Sequence, residues 1–192
     1  PFQSNDEKFL VNEYGRSKSL GEDNILKENN NSLIIRVASV FGHFGNNFIK
    51  TMTKLILTKN EISIVSDNQI SMFYANDFSS NISKILDLFY KQETSSNILH
   101  LASSKHTNWF QVSKIIANQI NIYDNHLSTA KLNPISSKDW ISMAERPIDS
   151  RLEINTDLLK KYDIKISSWE EAVGEVVIKY LPTIINEVKN GK

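Results

Sequence analysis

The feature that most constrains this chain is an alternation. Short apolar runs rich in β-branched residues recur between longer stretches whose apolar positions return every three or four residues. The runs are residues 32–39 (SLIIRVAS), 61–65 (EISIV) and 97–102 (NILHLA). Each has the length and residue types of a strand. The longer stretches predict helices. One begins at Asn12, a good N-cap, passes through Tyr14, Lys18, Leu20, Ile25 and Leu26, and ends in the polar loop Asn29, Asn30, Asn31. A second spans about 46–58, with Phe48, Met52, Leu55 and Ile56 as its apolar stripe. A third covers 76–90 and a fourth 107–120, with Val112, Ile115, Ile116 and Ile120 facing inward. Two more are expected near 156–162 and 168–188, and residues 121–150 show no single pattern. Strands alternating with helices indicate an α/β architecture.

Composition narrows what such a fold can do. The 192 residues suit one domain or a large piece of a bigger one, and 40% hydrophobic content supports a sizeable core. Lys+Arg and Asp+Glu balance at 22 each, so no basic excess favours nucleic acid or an anionic membrane. No apolar run approaches the ~20 residues of a membrane span. The absence of cysteine excludes disulfides and thiolate metal sites, and fits the expected cytoplasmic location. Four His residues without paired spacing make no zinc site, so no metal is expected. The chain opens on Pro1 without a secretory signal, and its natural N-terminus is expected to lie upstream.

The segment with chemical content is residues 12–22, NEYGRSKSLGE. Tyr14 and Lys18 stand four apart, on one face of a helix. A phenol with a pKa of about 10 exchanges protons poorly at neutral pH. A neighbouring ammonium favours the phenolate and lowers that pKa, toward the range where general acid–base catalysis works best. Spacing alone would also arise by chance on many helices.

The surrounding motifs add specificity. YGRSK followed by SLGE resembles the YxxSK segment of extended short-chain dehydrogenases/reductases. Arg36 in IIRVASVFG, then GNNFIKTM (45–52), EISIVSDNQ (61–69), NILHLAS (97–103) and ERPIDSRLEINTDLL (145–159) are similar, in order, to segments of dTDP-4-dehydrorhamnose reductases. Trp169 falls where their final helix carries a Trp. The resemblance implies the C-terminal portion of a Rossmann-like doubly wound domain plus a small α/β substrate-binding lobe. Residues 1–60 would complete the NAD(P)-binding domain. Residues 61–192 would mainly form the substrate lobe, with segments returning to the core. It further implies reduction of a nucleotide-activated 4-keto-6-deoxy sugar by NADPH or NADH, feeding polysaccharide synthesis. Tyr14 would donate a proton to the sugar oxygen, and Lys18 would tune Tyr14 and bond the nicotinamide ribose. Relatives of this kind are often homodimers.

Some of the pattern is different. No GxGxxG or GxxGxxG occurs in the chain, so the phosphate-cradling turn is expected upstream, and the 192 residues alone are expected to be inactive. Ser39 stands where dehydrorhamnose reductases carry a Trp beside the sugar, Met72 and Phe73 replace a Pro-Thr pair, and Ile70 replaces an Arg of epimerase relatives. Ser39 keeps an epimerase or dehydratase on the same scaffold as an alternative, and a non-catalytic regulatory or binding subunit is a second.

Ser39, His43, Asn47 and Arg146 are the candidate substrate contacts. His43 lies in a Gly-bounded loop, and Asn47 reads equally as a helix cap or a nucleotide-sugar contact. Arg146 offers a bidentate guanidinium to a diphosphate, with an ion pair to Glu145 or Asp149 as the bland alternative. Arg36 reads as a structural ion-pair member and His100 as a core or half-buried residue, while His106 and His126 read as surface positions. Trp109, Trp140 and Trp169 read as packing residues.

Overall fold

The computed structural model describes residues 1–92, 97–141 and 144–189. The order of elements is α1 (Glu13–Glu28), β1 (Ile34–Val37), β2 (Val40–Phe41), α2 (Phe48–Thr58), β3 (Glu61–Val65), β4 (Gln69–Ile70), β5 (Phe73–Tyr74), α3 (Ala75–Tyr90), β6 (Ile98–Leu101), α4 (Trp109–Tyr123), β7 (Lys131–Ile135), β8 (Asp149–Ser150), α5 (Thr156–Lys161) and α6 (Trp169–Lys189). Among the described residues every strand pair is parallel: β1 with β6, β2 with β5, β3 with β7 and β4 with β8. Parallel neighbours need crossovers, and the helices supply them.

Asparagine starts four of these helices. The side chains of Asn12, Asn47, Asn108 and Asn155 accept the backbone N–H of Gly15, Lys50, Gln111 and Leu158 respectively. Each satisfies a donor that the first turn leaves unpaired.

Two cores lie beneath this arrangement. The larger packs α2, α4 and α6 against β3, with Ile56, Ile116, Ile120, Val177 and Leu181 fully buried. The smaller packs α3 and α5 against the β1–β6 pair through Ile85, Leu88, Leu99, Leu101 and Leu159. Asp77 and Asn81 of α3 fasten the approach to α6. Asp77 accepts from Ser167 N at 2.9 Å and Ser167 Oγ at 2.7 Å, and Asn81 Nδ2 donates to Lys165 O at 2.9 Å.

The α1 helix is held differently. Among its residues only Ser19 is buried, while Tyr14, Leu20 and Ile25 stay exposed. Charge secures it instead. Arg36 of β1 donates to both Glu22 carboxylate oxygens, Nε at 2.9 Å and Nη2 at 2.7 Å. Lys8 bridges Glu22 at 3.1 Å and Asp23 at 2.7 Å. An apolar hollow of about 410 Å³ opens along β1 and β2, lined by Leu33, Ile35, Val37, Val40, Phe73, Ala75 and Phe78.

The structure departs from the sequence reading in three places. The run 32–39 is not one strand, because the chain turns between β1 and β2 at Ser39, whose φ is 28°. The stretch 121–150 contains β7 and β8, whose KLNPI and DS sequences carry no clean alternation. Trp140 is 51% exposed rather than packed, unlike Trp169 at 6%.

Candidate active site

A connection of residues 29–33 brings the chain from α1 back into β1, and the Glu22–Arg36 pair fixes their mutual register. The start of α1 therefore points toward the carboxyl end of β1. Tyr14, eight residues before Glu22, lies about 12 Å further along that direction at 1.5 Å per residue. In open parallel sheets, ligands sit beyond the carboxyl ends of the strands.

Tyr14 and Lys18 share one face of α1, as their spacing requires. Lys18 Nζ stands 5.6 Å from the centroid of the Tyr14 ring, a cation–π contact. Tyr14 is 72% exposed, so a substrate can reach its hydroxyl. Neither side chain is sealed in the core.

Three other predicted residues lie in the turns that follow β1 and β2. Ser39, two residues past the end of β1, takes a left-handed conformation that costs a non-glycine residue about 1–3 kcal/mol and concentrates at functional sites. The 42–47 turn follows β2. In it Asn47 does two things: Oδ1 accepts from Lys50 N at 3.1 Å as the α2 cap, and Nδ2 donates to Gly42 O at 3.0 Å. The cap reading of Asn47 is the one observed.

His43 is turned inward. Its side chain is only 10% exposed, with Nε2 at 2.8 Å from Glu175 Oε1 and 2.7 Å from Tyr74 Oη. Tyr74 donates to Glu175 Oε1 at 2.8 Å and accepts from Asn76 Nδ2 at 2.9 Å. Burial, then the bond to Glu175, push the Tyr74 phenol well above its ordinary value of 10.0. The bonds from Tyr74 and then His43 hold the Glu175 carboxyl below its usual 4.5. Neither Tyr74 nor Glu175 was legible as a partner of His43, since they lie 31 and 132 residues away.

Arg146 is exposed, in a loop that reaches the start of α1. Asn12 makes that junction: while its Oδ1 caps α1, its Nδ2 donates to Glu145 O at 2.8 Å. Arg146 therefore follows a residue anchored two positions from Tyr14. The ion pair expected for Asp149 goes to Arg151 instead, at 2.6 Å. Arg36 pairs with Glu22, as a structural ion pair should. His100 is buried at 4% exposure, with Nδ1 against Glu153 O at 3.1 Å. His106 and His126 are exposed, although His106 Nδ1 meets Ser71 Oγ at 3.2 Å. No group of metal-binding side chains occurs among the described residues, and no helix among them is long and apolar enough to cross a membrane.

The family model of the RmlD substrate binding domain matches residues 1–181. The chain belongs to that family. A dTDP-4-dehydrorhamnose reductase of Sinorhizobium fredii is 28% identical over 180 residues, covering 92% of this chain and 60% of the relative. The spore coat polysaccharide biosynthesis protein SpsK of Bacillus subtilis is 30% identical over 175 residues, 91% of this chain and 57% of its own length. The crystal structure of the dTDP-4-dehydrorhamnose reductase of Bacillus anthracis, in complex with NADP, superposes with a TM-score of 0.75 at 28% identity, covering 92% of this chain and 59% of that one. This member of the RmlD substrate binding domain family thus spans about three fifths of the length of the curated relatives it matches. The parallel α/β fold expected from the sequence, of the Rossmann-like kind, is the one found.

Proposed function

We propose that this chain carries the proton-donating and substrate-binding part of an NADPH- or NADH-dependent reductase acting on a nucleotide-diphospho-4-keto-6-deoxy sugar. One observation carries the reading: an exposed Tyr14 with Lys18 over its ring, on a helix whose start points to the carboxyl edge of a parallel strand pair. When bound, the nicotinamide cofactor supplies the hydride for the carbonyl carbon. Tyr14 gives its phenolic proton to the carbonyl oxygen as negative charge develops there. Lys18 holds a positive charge beside the phenol, favouring the phenolate left behind. Lys18 and Tyr14 are also the residues that would face the nicotinamide ribose. Arg146 suits the substrate diphosphate, because a guanidinium can engage phosphate oxygens in pairs. Ser39, His43 and Asn47 border the sugar end through the turns after β1 and β2.

The domain division follows the same proposal. Residues 1–60 belong with the dinucleotide-binding sheet. Residues 61–192 mainly form the substrate lobe, with α3, β6 and α5 packing back beneath β1. The thinly covered α1 and the apolar hollow along β1 are the surfaces such a sheet would continue from. A homodimer and a cytoplasmic location belong to the proposal as well.

The test uses the protein expressed from its full gene, with NADPH absorbance followed in the presence of a 4-keto nucleotide sugar. Stoichiometric oxidation of the cofactor is expected, whereas an epimerase or dehydratase would recycle it without net consumption. Tyr14→Phe should lower turnover by about 10²–10⁴-fold, the ordinary contribution of a positioned acid, without moving the melting temperature. Turnover equal to wild type in that variant removes Tyr14 from the mechanism.

A further inference from the structure

The 42–47 turn has little of its own to fix its shape. Gly42 and Gly45 bound it, Gly45 has a φ of 73°, and Phe44 between them is 89% exposed. Yet the turn is fastened from three directions. Tyr180 of α6 donates to Gly42 O at 3.0 Å, the same oxygen that accepts from Asn47 Nδ2. A Cβ on Gly42 would sit 3.2 Å from Ala75 Cβ, so the turn lies directly on the start of α3. His43 then reaches inward to Tyr74 and Glu175. Glu175 and Tyr180 lie on the same helix, so α6 grips the turn at two points.

The donors and acceptors in this cluster leave His43 one arrangement. Glu175 remains an ionised acceptor, and Tyr74 remains a protonated phenol whose hydrogen goes to Glu175 Oε1. The nitrogen facing both oxygens must therefore carry a proton, making Nε2 the donor. Nδ1, on the other side of the ring, is buried without a hydrogen-bond partner among the described residues, so a proton placed there would be stranded and the lone pair falls on that atom.

We propose that Glu175 and Tyr74 are positioning residues for the sugar-binding turn, acting through His43 held as its Nε2–H tautomer, so that Asn47 and its turn are set before substrate arrives. This inference rests on the reductase reading of the site. Neither Glu175 nor Tyr74 touches the reacting atoms. Their effect is on how well the turn is formed in the free protein, and a turn ordered in advance costs less to use on binding.

Two measurements test it. A long-range ¹H–¹⁵N spectrum, with the His43 signals assigned through His43→Gln, should show the Nε2–H pattern in the wild-type protein. Glu175→Ala should shift it toward Nδ1–H, since Tyr74 then has only the imidazole to donate to. A wild-type His43 protonated on Nδ1, or averaging between the two, overturns the inference whatever the activity. In the protein expressed from its full gene, Glu175→Ala should raise KM for the nucleotide sugar about tenfold with a smaller fall in kcat, the mark of lost binding rather than lost chemistry. Glu175→Gln, which keeps a carbonyl acceptor in place, should restore most of the KM. An active wild type whose Glu175→Ala variant keeps its KM overturns this inference alone. A wild type that oxidises no cofactor with any 4-keto sugar overturns the reductase reading, and this inference with it.

Discussion

Replacing Arg36 with Met asks how α1 is kept in place. The helix buries only Ser19, so its attachment should depend on the Arg36–Glu22 pair far more than a well-packed helix would. Both side chains are 19% exposed and joined by two hydrogen bonds. Breaking a fully buried pair costs about 3–5 kcal/mol, and an exposed pair contributes about 0–1 kcal/mol. At one fifth exposure, with Lys8 remaining beside Glu22, a loss of about 2 kcal/mol follows. Urea denaturation of wild type and Arg36→Met at neutral pH measures it. In hydrogen exchange, the amides of 13–28 should open about 30-fold more often, the equivalent of ~2 kcal/mol. The bond from Arg36 holds the Glu22 carboxyl below its ordinary 4.5, so the pair's contribution is complete above that value and is lost as pH falls through the lower native one. The difference between wild type and Arg36→Met should therefore shrink in acid. A difference under ~0.5 kcal/mol, or one unchanged between neutral pH and about pH 3.5, refutes the argument that charge anchors this helix.

Other outcomes are equally specific. Asp77→Ala, at 7% exposure, removes both acceptors of the half-buried Ser167, and should cost about 1–3 kcal/mol in denaturant unfolding by leaving its N–H and hydroxyl without those partners. Ile116→Ala, at 0% exposure among α2, α4 and α6, should cost about 2–5 kcal/mol by the same assay. Burial holds His100 below its ordinary 6.5, so the unfolded chain takes up a proton there that the native protein refuses; stability should fall as pH drops below that value, and His100→Gln should flatten this part of the profile. The 192-residue chain by itself, lacking a Gly-rich phosphate turn, should show no tight NADPH binding by fluorescence titration, and a tight complex would contradict that expectation.

The sequence disclosed the elements whose causes are local. The helices starting at Asn12 and Asn47 and the strand Glu61–Val65 could be read because an N-cap amide or an alternating run announces itself within a few residues. The Tyr14–Lys18 face could be read for the same reason, since helical spacing alone brings the two together. What stayed hidden depends on distant partners. The two-residue strands β4, β5 and β8 exist because a parallel neighbour offers hydrogen bonds, not because their side chains alternate. The inward turn of His43 needs Tyr74 and Glu175, and the bend at Ser39 needs the start of a new strand pair at Val40. No window of adjacent residues contains those causes.

Amide side chains cap α1, α2, α4 and α5, and an amide does not titrate. The ion pairs and carboxylate clamps that join one element to another do. Strong acid, below the lowered values of those carboxyls, should therefore separate the two layers of organisation, leaving helical circular dichroism largely intact while the fastenings between elements loosen into an expanded, dye-binding state.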